Sequence, residues 1–436
     1  MSRAMGSTQL YPELYLAIFD RLDRAPGFKA DLRNVSETCC LFHALAESLL
    51  FTEIHLQMDY SESGIETRTR ALIHHLTSRA ETRHWVKSIK ISAYPYGEMA
   101  INRIADIFVE LHNLRDVVFK NFDLTDSMVR HLLRLSHPFS LDCWAVGCTA
   151  EAENFVRDPQ KLQIVELRID QVREPNMIPF VARLALGPHL LALDLREYDS
   201  SHIYPNFLQN SGHSFDSLRN LEVYQPEKQV EMTGFLNFLA SCPQLSRLKI
   251  NPIMVRWGIS EAKPAFLLPP TSIPHLSSFE AAYDLAGLLV QGRPVLSLML
   301  RCHRWNNLDR VFLSRLAEGS TPLKGLDIDC VIWRNDILLN IAEYFPALQK
   351  FNLRVLANDY CNPMLERLTS DVKWLPLMQR FVIRHFTSGP PEDDIPQDTL
   401  KLLEVTNDCV ALCGFQLKTE RYKDERRWIL LPLSQV

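Results

Sequence analysis

Cys302 and His303 are neighbours in the sequence, and Trp305 follows shortly after them. A thiol beside an imidazole is the pair that a cysteine nucleophile needs, because the imidazole can accept the thiol proton. Neighbouring residues on a strand, however, point to opposite faces, so these two side chains would not meet. We therefore expect no nucleophilic catalysis at this pair.

Three further groups have the side chains of a metal site but not its spacing. They are Cys143 with Cys148, Cys409 with Cys413, and His74 and His75 with His84. A structural zinc site needs four ligands, commonly as two closely spaced pairs, and each cysteine group lacks the second half. The histidines lack acidic or cysteine ligands at ligand spacing. The sequence also has no nucleophile elbow, no paired-histidine zinc helix, no kinase motif set and no glycine-rich phosphate loop. The sequence therefore predicts a protein that is not an enzyme and has no cofactor.

The composition is that of a globular protein without a general nucleic-acid surface. The chain has 436 residues, of which 47% are hydrophobic, and a formal net charge of -5 at pH 7. General nucleic-acid binding relies on an excess of Lys and Arg, which is missing here. Apolar runs such as Leu285–Val290 and Ile429–Leu433 are far shorter than the roughly 20 residues that span a bilayer. We therefore expect no nucleic-acid or membrane partner, a cytoplasmic or nuclear location, and reduced cysteines.

A short phrase recurs from position 85 to position 415. Its form is apolar, two others, apolar, one other, apolar, as in Leu218–Val223 and Leu245–Ile250. The central apolar residues are Ile89, Val117, Leu141, Leu167, Leu193, Leu221, Leu248, Phe279, Leu298, Leu326, Phe351 and Phe381. Successive copies lie 19 to 31 residues apart, and leucine-rich repeats have periods of about 20–29 residues. The alternation of apolar and polar residues predicts a strand with one buried face.

Helical patterns lie between the phrases and end at proline or glycine. Apolar residues recur at helical spacing in Phe312–Leu316 and Leu338–Phe345, and Gly319 and Pro346 follow these segments. Proline and glycine are common helix terminators. One strand and one helix cannot bury both apolar faces alone, whereas stacked units share a continuous core.

These patterns predict an α/β fold, an irregular leucine-rich-repeat solenoid of about twelve units with an inner parallel sheet and outer helices in a horseshoe. The alternative is a doubly wound α/β domain, whose strands are usually apolar on both faces. The strands here are polar on one face, which favours the solenoid. The asparagine or cysteine that normally follows the strand is mostly missing, and Asn251 is one of few candidates. The units are therefore expected to be irregular.

The residues before the repeat have another pattern, with three short amphipathic segments. Leu10–Leu14 (Leu-Tyr-Pro-Glu-Leu) opens a helical face that continues through Ile18 and Phe19. Leu32–Cys39 forms the second segment, and Phe42–Leu56 forms the third, which closes with Leu-Leu-Phe-Thr-Glu-Ile-His-Leu. These linked elements resemble the F-box, in particular the F-box-like domains common in fungal proteins. The resemblance implies a small three-helix domain.

The F-box resemblance also implies docking onto the Skp-type adaptor of a cullin–RING ubiquitin ligase. The implied adaptor contacts are Leu10, Pro12, Glu13, Leu14, Ile18 and Phe19. The helical core, or the rest of the interface, would be formed by Leu32, Val35, Cys39 and Phe42. Tyr11 stands where the family often has a second proline. The alternative is a helical cap, because a solenoid needs a terminal unit that covers the core of its first repeat.

The outward positions of the predicted strands are the candidate substrate-binding surface. The candidate residues are Lys120, Trp144, Arg196, Tyr224, Arg301, Arg354 and Arg384. The planar guanidinium of arginine suits carboxylate and phosphate groups, so one hypothesis is that the later repeats bind an acidic or phosphorylated segment. The alternative is an ordinary solvated face of mixed charge. Asp142, Arg168 and Asp194, which alternate in sign, fit a charge ladder that stabilises the sheet.

The predicted organisation has five parts: a disordered tail (1–9), an F-box-like domain (10–56), a helical connector (57–84), the solenoid (85–415) and a C-terminal hairpin cap (416–436). We expect a substrate-recognition subunit of a Skp–cullin–F-box ubiquitin ligase, whose solenoid binds a protein substrate. Such a subunit contributes proximity and no catalytic group. The alternative is a leucine-rich-repeat scaffold or inhibitor-type binding protein whose N-terminal helices are only a cap.

Overall fold

The chain forms two compact units, Met1–Leu190 and Leu191–Val436. The computed structural model describes residues 28–58, 63–93, 107–108, 110–148, 161–172, 177–196, 214–226, 229–251, 268–301, 308, 310–332, 336–356, 377–387 and 414–421. Each unit combines helices with an open sheet of parallel strands. The predicted α/β class is therefore confirmed.

The described part of the first unit starts with a pair of helices and continues into parallel strands. Its helices are α1 (Phe28–Ser36), α2 (Cys40–Leu50), α3 (Ser63–Ser78), α4 (Ala80–Trp85), α5 (Asp126–Leu132) and α6 (Met177–Ala185). Its strands are β1 (Glu53–Met58), β2 (Ser88–Ala93), β3 (Asp116–Lys120), β4 (Asp123–Leu124), β5 (Phe139–Cys148) and β6 (Ile164–Val172). The strand order is β1-β2-β3-β5-β6, all neighbours are parallel, and β4 pairs with β5. Each long strand is therefore added beside the preceding one, as in stacked strand–helix units.

The second unit repeats this arrangement. Its helices are α7 (Gln229–Ala240), α8 (Tyr283–Leu289), α9 (Arg310–Ala317) and α10 (Ile337–Tyr344), and Pro270–Ser272 forms a short 3-10 turn. Its strands are β7 (Ala192–Leu195), β8 (Asn220–Tyr224), β9 (Arg247–Asn251), β10 (Ser278–Ala282), β11 (Ser297–Arg301), β12 (Gly325–Ile332), β13 (Lys350–Leu356), β14 (Arg380–Thr387) and β15 (Gly414–Arg421). They lie in chain order from β7 to β15, and every neighbouring pair is parallel.

The predicted central residues, together with Ile54 of β1 and Phe415 of β15, are partners in register across the sheet of each unit. In the first unit the register joins Ile54, Ile89, Val117, Leu141 and Leu167. In the second unit it joins Leu193, Leu221, Leu248, Phe279, Leu298, Leu326, Phe351, Phe381 and Phe415. A slip of one residue would turn every side chain to the opposite face, so this register fixes which residues point outward.

The core of each unit lies under one face of its strands. Leu248 and Ile250 of β9 are fully buried, whereas Lys249 between them is only partly covered. The rings of Phe351 and Phe381, partners on β13 and β14, stack with centroids 5.3 Å apart. Full burial of such a side chain stabilises the fold by about 1.5–3 kcal/mol. The repeated alternation therefore accounts for the strand geometry and for the apolar side chains buried under each sheet.

Three positions of the first unit have a left-handed backbone although none is a glycine. Asn121, Ala145 and Gln171 have φ values of 52°, 50° and 64°. They follow Lys120, Trp144 and Asp170, which are partners in register. The backbone N–H of Asn121 donates to the carbonyl of Trp144 over 2.8 Å. The same turn therefore recurs at the end of the outward face on three neighbouring strands.

The last described strand differs from the predicted C-terminal cap. β15 is parallel to β14, so the parallel series extends beyond residue 415, where the sequence predicted its end. The reason is that Phe415 and Leu417 continue the alternation of the phrase, with Phe415 as the register partner of Phe381. The second arm of the predicted hairpin, which begins near Arg427, lies outside the described residues.

The longest helix in the described ranges is α3, with 16 residues. Within those ranges, no helix has both the length and the apolar character that crossing a membrane requires.

Candidate protein-binding surface

Each phrase places three side chains on the outward face, around two buried ones. We call these positions the leading, middle and trailing rows, because they stand before, between and after the two buried residues. In β13 they are Lys350, Asn352 and Arg354, around the buried Phe351 and Leu353. The register carries each row from strand to strand within a unit. The face therefore presents aligned side chains, which is the usual binding surface of repeat proteins.

The trailing row of the first unit contains an exposed tryptophan. Trp144 has 45% of its surface exposed, and the Lys120 ammonium lies 4.1 Å from the centroid of its ring. This cation–π contact favours one orientation of the ring. Tryptophan is among the residues most enriched at binding hot spots. The structure thus brings together two of the predicted substrate-binding residues, with Trp144 as the candidate anchor.

The middle row carries the opposite charges that the sequence predicted as a ladder. Arg168 Nη1 lies 3.6 Å from Asp142 Oδ2 on the neighbouring strand. Asp194 of β7 pairs with Arg196, which directly follows that strand, with 3.0 Å between Oδ2 of Asp194 and Nη2 of Arg196. The ladder is thus formed between β5 and β6, and Arg196 is held by a carboxylate on the same face.

Two of the predicted arginines of the second unit, Arg301 and Arg354, form ion pairs with carboxylates. Arg301 donates from Nε to Glu280 over 2.8 Å and from Nη1 to Asp329 over 3.2 Å. Arg354 Nη1 lies 2.6 Å from the other oxygen of Asp329. Burial alone would lower the pKa of Arg301, but the bonds to Glu280 and the charge of Asp329 raise it above its ordinary value. The Arg301 guanidinium therefore stays charged, and the ion pairs orient both guanidinium groups while the carboxylates offset their charge.

A second polar network surrounds Glu222 on β8. Its Oε1 accepts from Lys249 Nζ over 2.6 Å and from Asn251 Nδ2 over 3.0 Å. Burial would raise the pKa of Glu222, but these two hydrogen bonds and the charge of Lys249 lower it below its ordinary value.

Two further predicted substrate-binding residues stand in the trailing row. Tyr224 occupies the trailing position of β8 and is partly exposed. Arg384 lies at the register partner position of Arg354 on β14.

The leading row is a feature that the sequence-based candidates leave out. Lys350 and Arg380 occupy it on β13 and β14, are partners in register and are exposed. Both stand directly before a buried phenylalanine, Phe351 or Phe381. The sequence could have identified Lys350 and Arg380, because each stands at the outward position directly before the first buried residue of its strand.

Four of the residues implied by the F-box resemblance lie in the described helix pair. Leu32 of α1 is buried against Ala46 of α2, and Val35 and Phe42 pack partly buried against them. Cys39 is exposed and caps α2, because its sulfur accepts from the Phe42 N–H over 3.4 Å. The other implied contacts, Leu10, Pro12, Glu13, Leu14, Ile18 and Phe19, lie outside the described residues.

The end of α2 is joined to the helices and strands that follow it. Glu47 forms an ion pair with Arg79, with 3.3 Å between Oε1 and Nη1. The ring of Phe51 stacks on His75 of α3 with centroids 4.8 Å apart. The carbonyl of Thr52 accepts the backbone N–H groups of residues 87 and 88 over 2.9 and 3.0 Å. The helix pair is therefore anchored to the connector and to β2.

A buried arginine that the sequence did not indicate holds a loop to the end of α8. Arg293 is 1% exposed. It donates from Nη1 to the Leu289 carbonyl over 2.8 Å, and from Nη2 to the carbonyls of Leu268 and Pro269 over 2.9 and 2.8 Å. Burial lowers the pKa of Arg293 to about 10, so its guanidinium is charged at neutral pH. The cation also faces the C-terminal carbonyls of α8, where positive charge is favourable.

The residues considered for chemistry are not assembled into a metal site in the described part of the chain. No group of three or more histidine, cysteine, aspartate or glutamate side chains could hold a metal ion there. Cys143 is buried, and His75 stacks on Phe51. Cys302, His303, Cys409 and Cys413 lie outside the described ranges.

No protein-family model matches the chain, and no curated protein matches it either. Among solved structures, the chain is similar to a crystal structure of a protein from Bacteroides fragilis. The two chains are 12% identical, with a TM-score of 0.26, and the match covers 86% of this chain and 75% of that chain. A TM-score at this level supports no argument about fold or function.

Proposed function

We propose that the protein is the substrate-recognition subunit of a Skp–cullin–F-box ubiquitin ligase, an irregular leucine-rich-repeat solenoid with an F-box-like domain before it. The observation that carries this proposal is the outward face, whose rows align polar and aromatic side chains, including Trp144, above a shared core. Such a face binds a protein segment through many side chains at once. The F-box-like helices would bind the Skp-type adaptor, and the outward face would bind the substrate.

The state of the cysteines is compatible with the cytoplasmic or nuclear location that this function implies. Among the side chains that the structure describes, Cys39, Cys40 and Cys242 are not joined in disulfide bonds. Burial raises the pKa of Cys242 to about 12, so this thiol stays protonated. Reduced cysteines are usual in those compartments.

The α1–α2 pair supports the adaptor-binding half of the proposal. Its core of Leu32 and Ala46 leaves Val35 and Phe42 only partly covered. Partly covered apolar side chains are the kind that a partner can bury, with about 25 cal/mol gained for each Å² of apolar surface. Val35 and Phe42 are therefore the described residues that would contribute to the adaptor interface.

The proposed mechanism is proximity. A subunit that holds adaptor and substrate at once turns transfer of ubiquitin to a substrate lysine into an effectively intramolecular event. The gain is a rise in effective concentration and needs no catalytic group in this chain.

A pull-down with the purified Skp-type adaptor tests the proposal. The intact chain should capture the adaptor, and Pro12→Glu, Ile18→Glu and Val35→Asp should each abolish capture. Asn34→Asp is the matched control, because it adds the same charge at an exposed position of the same helix. Circular dichroism of each variant separates loss of binding from loss of fold. An intact chain that does not capture the adaptor contradicts the ligase function.

A second candidate function is a protein-binding scaffold whose helix pair only caps the sheet. The contacts of Glu47 with Arg79 and of Phe51 with His75 favour it, because they anchor the pair to the helices and strands that follow. Under this function Phe51→Ala lowers the midpoint of thermal unfolding, and neither this variant nor the intact chain captures the adaptor. Adaptor capture by the intact chain therefore decides between the two functions.

A further inference from the structure

Basic residues occupy matched outward positions on the last three described strands. In the leading row, Lys350 is the register partner of Arg380. In the trailing row, Arg354 is the partner of Arg384, and Arg384 is the partner of Lys418. Like charges directly opposite each other on neighbouring strands destabilise a sheet. The exposed pair of Lys350 and Arg380 therefore points to a use other than stabilising the sheet.

The excess positive charge is concentrated in the leading row. Arg354 shares Asp329 with Arg301, which also binds Glu280, so these four side chains together carry no net charge. Lys350 and Arg380, in contrast, are exposed, and neither forms an ion pair with any described residue. In the leading row of the strands before them, from β8 to β12, Arg247 is the one cation. The last strands thus differ from the rest of the unit.

The spacing of these cations indicates what they would bind. Partners on neighbouring strands are about 4.8 Å apart, and the leading and trailing rows are four residues apart, or about 13 Å. A single phosphate group would contact only one row, whereas an extended run of carboxylates can contact both. Between the rows stand Asn352, which donates to Asp327, and Val382, which is buried.

We propose that the outward face of β13 and β14 binds a carboxylate-rich acidic segment of a partner protein. This inference rests on the proposed role of the outward face in substrate binding, and it names the chemistry of the partner. Among the described side chains, Lys350, Arg380 and Arg354 would contact this acidic segment. Arginine forms paired hydrogen bonds with carboxylates, and lysine adds a point charge.

Fluorescence anisotropy with a labelled oligo-glutamate peptide and the full chain tests the proposal. The peptide should bind, and it should bind more weakly as salt is raised, because exposed charges are screened. The double variant Lys350→Glu with Arg380→Glu should bind it at least about tenfold more weakly, since each lost charged hydrogen bond weakens binding by about that factor. Arg247→Glu is the matched control, since it reverses an exposed leading-row cation on β9, and it should bind like the wild type.

The single variant Arg380→Glu separates binding from stability. The new carboxylate stands opposite the Lys350 ammonium on the neighbouring strand. The midpoint of thermal unfolding should therefore rise, while the affinity for the peptide falls. A rise in the midpoint with unchanged affinity contradicts the proposal. So does equal binding of oligo-glutamate and oligo-serine peptides. Binding of a phosphoserine peptide without binding of oligo-glutamate contradicts the assignment to carboxylates.

Adaptor capture measured on the same samples keeps the two proposals apart. Wild-type chain that binds the peptide but not the adaptor contradicts the ligase function alone. Wild-type chain that captures the adaptor but not the peptide contradicts the acidic-segment inference alone. Lys350→Glu with Arg380→Glu should leave adaptor capture unchanged, because both residues lie on the outward face of the second unit.

Discussion

Arg293 carries a charge into the interior and donates hydrogen bonds to backbone carbonyl groups there. Arg293→Ala removes the donors to the Leu289, Leu268 and Pro269 carbonyls and leaves a cavity. Because unsatisfied buried acceptors and cavities both destabilise, we expect the free energy of unfolding to fall by about 2–4 kcal/mol. Urea denaturation monitored by circular dichroism measures it. Arg315→Ala, at an exposed position of α9, is the control and should change it by less than about 0.5 kcal/mol.

The chemistry of the side chain provides a further check on Arg293. Arg293→Lys should recover only part of the loss, because an ammonium group cannot donate in two directions as the planar guanidinium does. Full recovery by lysine would mean that charge near the end of α8, and not the fork, holds the Leu268–Pro269 segment. An alanine variant as stable as the wild type would contradict the structural role altogether.

Glu222 gives the second unit a pH dependence whose sign is set by its lowered pKa. The unfolded state binds the proton more tightly, so stability from this group is present above the ordinary glutamate pKa. It is lost as pH falls through the lower, folded-state value. Glu222→Gln should therefore reduce the drop in thermal midpoint between pH 7 and pH 3. The control Glu166→Gln, at an exposed position of β6, should keep the wild-type drop.

At the residue scale, the outward candidates could be predicted and Arg293 could not. Lys120 and Trp144 follow directly from the period of two along a strand, because position in the phrase decides which face a side chain takes. Arg293 lies between α8 and β11, where no periodic pattern applies, and its acceptors Leu268 and Pro269 come from 25 and 24 residues earlier in the chain. Only the folded structure brings that segment to it.

At the element scale, the recurring left-handed turn predicts opposite effects of glycine at two positions of β6. Gln171 is exposed and has φ of 64°, so Gln171→Gly should raise the free energy of unfolding by about 0.5–1 kcal/mol. Glu166→Gly places glycine at an exposed position of the same strand, before the left-handed residue. This variant should lower the free energy of unfolding by about 0.5–1 kcal/mol. Chemical denaturation with a common slope measures both. Equal effects of the same sign would contradict the left-handed conformation of Gln171.

The elements of the sheet could be predicted because one pattern fixes each strand and its register. The phrase also fits both ends of the series, where Phe51, Ile54 and Leu56 match it before β2, and Leu412, Phe415 and Leu417 match it after β14. The same pattern thus accounts for β1 and β15, which the F-box resemblance and the hairpin interpretation assigned elsewhere. The left-handed turns could not be predicted, because Ala145 and Gln171 have no preference for that conformation. The register of three neighbouring strands imposes it on them.

At the scale of the whole molecule, the proposed function needs two binding activities that can be lost separately. The helix pair has its own small core of Leu32 and Ala46. The outward face depends on the strand register and not on that core. A change at an exposed outward side chain should therefore affect substrate binding without affecting the adaptor.

Trp144→Ala tests this separation. An exposed tryptophan that acts as a binding anchor contributes about 2 kcal/mol or more, so its loss should weaken substrate binding about 30-fold or more. Quantitative mass spectrometry of proteins that co-purify from native extract measures this loss, with the Skp-type adaptor as the internal standard. The variant should lose substrate proteins and retain the adaptor in the wild-type amount.

Val311→Ala is the matched control for Trp144→Ala. Val311 lies on α9 and is 61% exposed, so it also presents apolar surface, but it is not on the outward face of the strands. It should retain the full set of proteins together with the adaptor. If both variants retain that set, Trp144 is not an anchor. If Trp144→Ala loses the adaptor as well, the two activities are not separable, and the outward face cannot be assigned to substrate alone.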